Sequence, residues 1–278
     1  MDESSLYFKQ IEIGPMQNFT YLIGDTAARE AIVIDAAWDI PKILQTAEQD
    51  GFTITQALVT HYHQDHLGGD LFGTHIQGVV ELLEQVKAKV YIHKAESEFL
   101  ARLVGLSDSD VVKVEGGDMT AVGDMNVKFI HTPGHTPGSQ CFLIENRLVA
   151  GDTLFINSCG RVDLPGSSPE DLYSSLQTLS KLADETVLYP GHNYASQPFA
   201  TLGEQKRHNM YLHLSAKSRQ EFLAAMVAGY EVESRIASDF IPSVQARGFR
   251  SSPIFGTLGS AVATGKLIGL VKRKNTYR

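Results

Sequence analysis

A layered α/β domain followed by a helical region is the architecture predicted for this chain, and three observations carry the prediction. Short runs rich in β-branched and aromatic residues recur through the first third and again through the middle. Stretches of helical periodicity lie between them, as expected of strands covered by helices. From about residue 196 the strand-like runs give way to mostly helical sequence, which predicts a first domain over 1–195 and a helical extension packed on it over 196–278.

Taken in order, Leu6 to Ile13, Phe19 to Ile23, Ala31 to Ile34 and Ala57 to Thr60 read as strands, with Gly14-Pro15 and Gly24-Asp25 as turns. Between the third and fourth, Ile40, Ile43, Leu44 and Ala47 recur at helical spacing; Asp39 suits the cap, Pro41 the first turn and Gly51 the end. Val79, Leu82, Leu83 and Val86 predict a second helix, Val90 to Ile92 a strand, and Ala95 to Val104 a third helix. Val111 to Val114, Val127 to Ile130, Cys141 to Ile144 and Leu148 to Ala150 read as strands. A helix over Pro169 to Leu182 and a strand at Val187 to Tyr189 follow, then helical sequence around Gly203 to Leu214 and Ala216 to Ala228.

Hydrophobic residues at 43% and charged residues at 20% describe a folded chain rather than a disordered one. A net charge of −8 argues against a nucleic-acid partner, because phosphate backbones are held by clustered Lys and Arg. Cys141 and Cys159 are too few for a disulfide framework, and the start at Met1-Asp2-Glu3 lacks a basic-then-apolar leader, so the expected compartment is the cytoplasm. Phe255 to Val271 is interrupted by glycines and Lys266 and is shorter than the ~20 residues a membrane span needs; it reads as packed on the domain. The basic tail Lys272-Arg273-Lys274 reads as a solvated end.

The strongest chemical signal is Thr60-His61-Tyr62-His63-Gln64-Asp65-His66-Leu67-Gly68-Gly69, directly after a strand. Imidazoles and a carboxylate crowded in this way are costly to desolvate unless a divalent cation takes up their lone pairs and charge. In an extended segment residues two apart point to the same side, so His61 and His63 can share one metal while Asp65 and His66, where a helix begins, face a second.

This His-x-His-x-Asp-His segment resembles the signature of the metallo-β-lactamase superfamily, which implies a four-layer αββα sandwich and a two-metal site. By that resemblance, Thr132-Pro133-Gly134-His135 supplies His135 to complete the first site with His61 and His63. Ala150-Gly151-Asp152 supplies the bridging Asp152, and Tyr189-Pro190-Gly191-His192 supplies His192, which joins Asp65 and His66 on the second metal. The implied cofactors are two divalent ions, zinc by default, although iron or manganese would suit the same donors. Remaining histidines read as packing or surface residues: His131, separated from His135 by Pro133 and Gly134, and His75, His93, His208 and His213.

Within the superfamily the chain is most similar to the glyoxalase II branch. Tyr194 stands two residues after His192, Ala200-Thr201-Leu202-Gly203-Glu204 resembles the stretch opening that branch's helices, and Ser158-Cys159-Gly160-Arg161 resembles its Gly-Cys-Gly-Arg loop. The resemblance implies a small-molecule thioester or ester, glutathione-linked in that branch, attacked by a metal-bridging hydroxide that Asp65 orients. It makes Arg161 and Tyr194 substrate contacts and gives Cys159 a loop-shaping role. Asp163 stands where that branch has an aromatic, and its glutathione-gripping basic residues are matched only loosely by His213 and Lys217. The same Cys159-Gly160-Arg161 stretch also resembles a persulfide dioxygenase, which would use one iron on His61, His135 and Asp152; the helical extension counts against it. Lactone hydrolysis, which needs the same chemistry in a different pocket, and a non-catalytic metal-binding role are also compatible with these donors.

Overall fold

The computed structural model describes residues 5–71 and 73–246. Contacts divide the chain into two compact units, Met1–Asn209 and Met210–Arg278. The first contains two six-stranded sheets. In the first sheet, β1 (Leu6–Ile13), β2 (Asn18–Asp25) and β3 (Glu30–Ile34) run antiparallel; β4 (Thr53–Leu58) then pairs parallel with β3. A small hairpin of β5 (Gly69–Leu71) and β6 (Thr74–Ile76) intervenes before β7 (Lys89–His93) and β8 (Val111–Val114) extend that sheet in parallel.

The second sheet begins with the antiparallel strands β9 (Met119–Val122), β10 (Met125–His131), β11 (Gln140–Ile144) and β12 (Arg147–Gly151). A two-residue hairpin, β13 (Leu154–Phe155) with β14 (Ser158–Cys159), follows. Then β15 (Val187–Pro190) returns parallel to β12, and β16 (Ala200–Thr201) closes the edge.

Alternation along the strands sorts their side chains between two cores, because successive residues point to opposite faces. Phe19, Tyr21 and Ile23 of β2 and Ile32 and Ile34 of β3 join Phe129, Phe142 and Val149 of the second sheet in one buried cluster. Leu22 and Val33, on the opposite face, join Ile40, Ile43 and Ala47 of α1 (Ile40–Gln49) in another. The start of α1 is set locally: Asp39 accepts from the Lys42 amide, and Pro41 lies in the first turn.

The short α2 (Gln64–Leu67) follows β4, and α3 (Val79–Leu83) and α4 (Ser97–Val104) contribute Val79, Leu82 and Leu100 to the α1 side. Helix α5 (Pro169–Leu179), capped by Ser168, buries Leu172, Leu176 and Leu179. The whole is the expected four-layer αββα sandwich, with α6 (Leu202–His208) following β16 in the same unit. The second unit contains α7 (Met210–Ser215) and α8 (Arg219–Ala246).

Local differences from the sequence expectation have local causes. β4 starts at Thr53, earlier than the apolar run, because its polar residues pair with β3 all the same. The helix read from Ala95 opens as a 3-10 turn over Lys94–Glu96. The stretch around Gly203 to Leu214 is two helices, broken where Asn209 takes an extended conformation with φ −78° and ψ 111°. Both small hairpins, with strands of two or three residues, are too short to carry a periodic signal. The segment Phe255 to Val271 and the basic tail lie outside the described residues.

Candidate metal centre

Every sequence-expected ligand stands just beyond the C-terminal end of a strand or at the start of α2. Parallel pairing sets Gly151 of β12 opposite Pro190 of β15, which carries Asp152 and His192 to the same edge. Gln140 ties the sheets together there: its amide donates to Thr60 O at 2.9 Å and its side chain to Val59 O at 2.9 Å. The approach is close enough that a Cβ on Gly191 would stand 2.3 Å from Asp152 Oδ1, so only glycine precedes His192.

The structure brings all the expected ligands together. His61, His63 and His135 form one group whose donor atoms lie within 4.8 Å of one another, and Asp65, His66 and His192 form another. Asp152 lies between them: Oδ1 is 3.4 Å from His66 Nε2, and Oδ2 is 3.4 Å from His192 Nε2 and 3.6 Å from His135 Nε2. His63 Nδ1 is 3.0 Å from both His61 Nε2 and His135 Nε2. His61, His66, His135 and His192 are buried, with exposures of 1–3%.

The donor set fits divalent cations on two observations. Asp152 Oδ1 is buried without a hydrogen-bond partner, a cost that cation coordination removes. Four of the histidines also spend one ring nitrogen outward: His61 Nδ1 on Thr60 Oγ1 at 3.0 Å, His66 Nδ1 on Asp35 Oδ2 at 2.9 Å, His135 Nδ1 on Arg161 O at 2.8 Å and His192 Nδ1 on Met16 O at 3.0 Å. That fixes each ring and leaves the inward nitrogen free to ligate.

Electrostatics separate the two groups. Burial, reinforced by neighbouring imidazoles, holds His61 well below the ordinary histidine value and lowers His63 to about 4; burial lowers His135 as well. These rings are therefore neutral, with lone pairs available, near pH 7. Burial also opposes charge on His66 and His192, but the carboxylates outweigh it: Asp65, Asp152 and Asp35 raise His66 well above its ordinary value, and Asp152 and Asp65 raise His192 to about 9. Against burial, the same imidazoles hold Asp65 and Asp152 far below the usual carboxylate range.

Sequence reading missed the supports. Asp35, buried after β3, accepts from the Thr60 amide at 2.8 Å and the Thr60 hydroxyl at 2.7 Å while holding His66. Asn18 Nδ2 donates to Asp65 Oδ2 at 2.9 Å. Glu96 accepts from the Gly138 amide at 2.9 Å and from the Thr136 hydroxyl, next to His135. None has ligand-like spacing; the one available hint was that Asp35 follows a run of buried strand residues.

Of the expected substrate contacts, Tyr194 is 54% exposed and its ring stacks on His192 at 4.6 Å, with Phe155 5.5 Å away. Arg161 forms a two-pronged pair with Asp163, Nε to Oδ1 at 2.7 Å and Nη2 to Oδ2 at 2.6 Å. Cys159 is buried, and burial pushes its thiol far up, which disfavours a nucleophilic role. His131 and His93 stack on one another at 3.9 Å, His75 pairs with Asp70 and Glu81 at the surface, and His208 and His213 are exposed.

Among the described residues no helix is long and apolar enough to cross a membrane. Compared with known proteins, residues 13–192 match the family model described as metallo-beta-lactamase superfamily, and residues 210–276 match the MmgE/PrpD N-terminal domain. Similar proteins include a hydroxyacylglutathione hydrolase of Maricaulis maris, 34% identical over 76% of this chain and 73% of that one. A probable polyketide biosynthesis zinc-dependent hydrolase, PksB of Bacillus subtilis, is 29% identical over 72% and 84%. The persulfide dioxygenase ETHE1 of Homo sapiens is 29% identical over 75% and 75%, and the crystal structure of ETHE1 from Myxococcus xanthus superposes with a TM-score of 0.66 at 32% identity, covering 78% and 88%. With one superfamily model running from the end of β1 through His192 and spanning every converging donor, the chain belongs to the metallo-β-lactamase superfamily.

Proposed function

We propose that the chain is a binuclear metal-dependent hydrolase of thioesters or esters, similar to glyoxalase II, with a hydroxyacylglutathione-type substrate as the leading candidate. The observation that carries this reading is the pair of three-residue donor groups with Asp152 within 3.6 Å of members of both. Two divalent ions held there, zinc by default, would supply Lewis acidity toward a carbonyl and water made acidic near neutral pH. His61, His63 and His135 would hold one, Asp65, His66 and His192 the other, and Asp152 both.

Asp65 is the catalytic residue in this reading. Its carboxylate, held through Oδ2 by the Asn18 amide, orients the attacking water and moves a proton later in the reaction. Tyr194 and Phe155 offer an aromatic wall beside His192 for the leaving group. Arg161 meets a substrate anion by exchanging Asp163 for it, an exchange that an exposed ion pair permits at small cost.

A second reading is favoured by the ETHE1 relatives: a persulfide dioxygenase with one iron on His61, His135 and Asp152. The deciding experiment is metal analysis of the purified protein together with assays on S-lactoylglutathione, lactones and glutathione persulfide. Two ions per chain with thioester hydrolysis support the hydrolase. One iron per chain with oxygen consumption on the persulfide would overturn it, and failure to bind any metal after reconstitution would point to a non-catalytic protein.

A further inference from the structure

The loop after β3 supports both ligands of α2, and its second arm runs through Trp38 and Asn18, neither of which is among the expected ligands. Asp35 holds His66 directly. Three residues on, Trp38 Nε1 donates to Asn18 Oδ1 at 3.0 Å, and Asn18 Nδ2 donates to Asp65 Oδ2 at 2.9 Å and to Asp65 O at 3.1 Å. An indole N–H can only donate, so it turns the amide oxygen of Asn18 toward Trp38 and the NH2 toward Asp65. Nothing is left to rotate: Asn18 is 3% exposed, its neighbour Phe19 donates to Gly191 O at 2.8 Å, and Asn18 forms an isolated bridge with His192.

Trp38 is held as firmly. Its amide donates to Gln77 O at 2.8 Å. Gly14, at φ +71°, lies so close to the indole that a Cβ there would be 2.5 Å from Trp38 Cγ. Asp35 and Trp38 both sit in the left-handed region, at φ 54° and 73°, which side chains other than glycine rarely adopt. Such backbone strain persists where surrounding structure over-determines it, and here it aims one side chain at His66 and the other at the amide that holds Asp65.

We propose that Asn18, oriented by Trp38, is a positioning residue that sets the Asp65 carboxylate for cation binding, so that the affinity of the Asp65–His66–His192 group depends on an indole N–H that touches neither metal nor substrate. This rests on the two-site reading above. The amide does two things for Asp65: it occupies one lone-pair direction of Oδ2 and prevents the carboxylate from turning away from His66 and His192, each 3.4 Å from that oxygen. Loss of such an outer partner lowers metal affinity by about 10- to 100-fold.

The test uses full-length, chelator-treated protein titrated with zinc against a chromophoric chelator. Trp38 is the chain's only tryptophan, so its emission reports the same event. Wild type is expected to bind two equivalents, with the emission change confined to the equivalent that fills the Asp65 group. N18A should weaken that equivalent about 10- to 100-fold, leave the His61–His63–His135 equivalent within about threefold, and uncouple the emission change. W38F keeps a ring against Gly14 but has no N–H, and should weaken the same equivalent severalfold; it carries the test alone if N18A does not fold. Wild-type affinity for both equivalents in both variants overturns the proposal. A wild type that binds only one equivalent overturns the two-site reading instead, and the positioning role then stands or falls on whether N18A and W38F weaken that single equivalent.

Discussion

Replacing Glu96 with glutamine isolates the contribution of a buried acid that joins the α4 region to the His135 loop. Glu96 is fully buried and accepts from the Gly138 amide at 2.9 Å and from the Thr136 hydroxyl, while its Oε2 is without a hydrogen-bond partner. Burial pushes its pKa up to about 7, although the hydrogen bonds from Thr136 and Gly138 favour the ionised form. Between the ordinary value of 4.5 and about 7 the folded protein keeps a proton that the unfolded chain has lost. The acid's contribution is therefore fully present below 4.5 and is lost as pH rises through about 7.

At ~1.36 kcal/mol for each pH unit in that interval, the loss amounts to about 3 kcal/mol. Glutamine has nearly the same shape and no charge at any pH. The difference in unfolding free energy between E96Q and wild type, from urea titrations of chelator-treated protein at steps between about pH 4.5 and 8, should move toward the variant by about 3 kcal/mol and level off above about pH 7. Taking the difference cancels the histidine cluster, which both proteins share. A difference that stays flat across the range would refute the assignment of a neutral buried Glu96.

H135A and D65N should each lower turnover about a thousandfold or more while leaving far-UV circular dichroism unchanged; full activity in either variant would remove that residue from the site. D163N should remove the carboxylate that competes for Arg161 and lower KM about two- to fivefold for a substrate bearing a carboxylate, the worth of an exposed ion pair, with the gain lost in R161A or at high salt. An unchanged KM would show that Arg161 does not meet the substrate. Both cysteines are buried, and burial raises Cys141 to about 11 and Cys159 further, so a thiol reagent at pH 8 should label the native protein slowly and the urea-unfolded protein at once. Rapid native labelling would show that at least one of the two thiols is accessible in the native protein.

The legible parts share one property: their signal is local. Asp39 and Pro41 announced α1, the apolar and aromatic run from Phe19 to Ile23 announced β2, and the His61-to-His66 segment announced a metal centre, because caps, composition and ligand spacing are read over a few residues. His135, Asp152 and His192 needed more. No spacing rule connects residues that far apart, and they were found through the superfamily resemblance, which points to the ends of strands. The structure supplies the reason, since the parallel β12–β15 pairing and the Gln140 link carry those ends to one edge.

Asn18, Trp38 and Glu96 gave no signal, and Asp35 only its place after a strand, because each is an ordinary residue in its own segment. Asn18 looks like the first residue of a strand, and Glu96 like a solvated helix start. The pairing of Arg161 with Asp163 was equally hidden: both residues were noticed, but not that each occupies the other. The chain alone determined which donors the protein has and the class of chemistry they suit, because ligand identity is a property of the side chain. Only the folded structure decided which nitrogen of each histidine faces inward, which carboxylate is buried without a partner and what holds Asp65 in place. Those are properties of the environment, set by burial and by hydrogen bonds between segments distant in sequence.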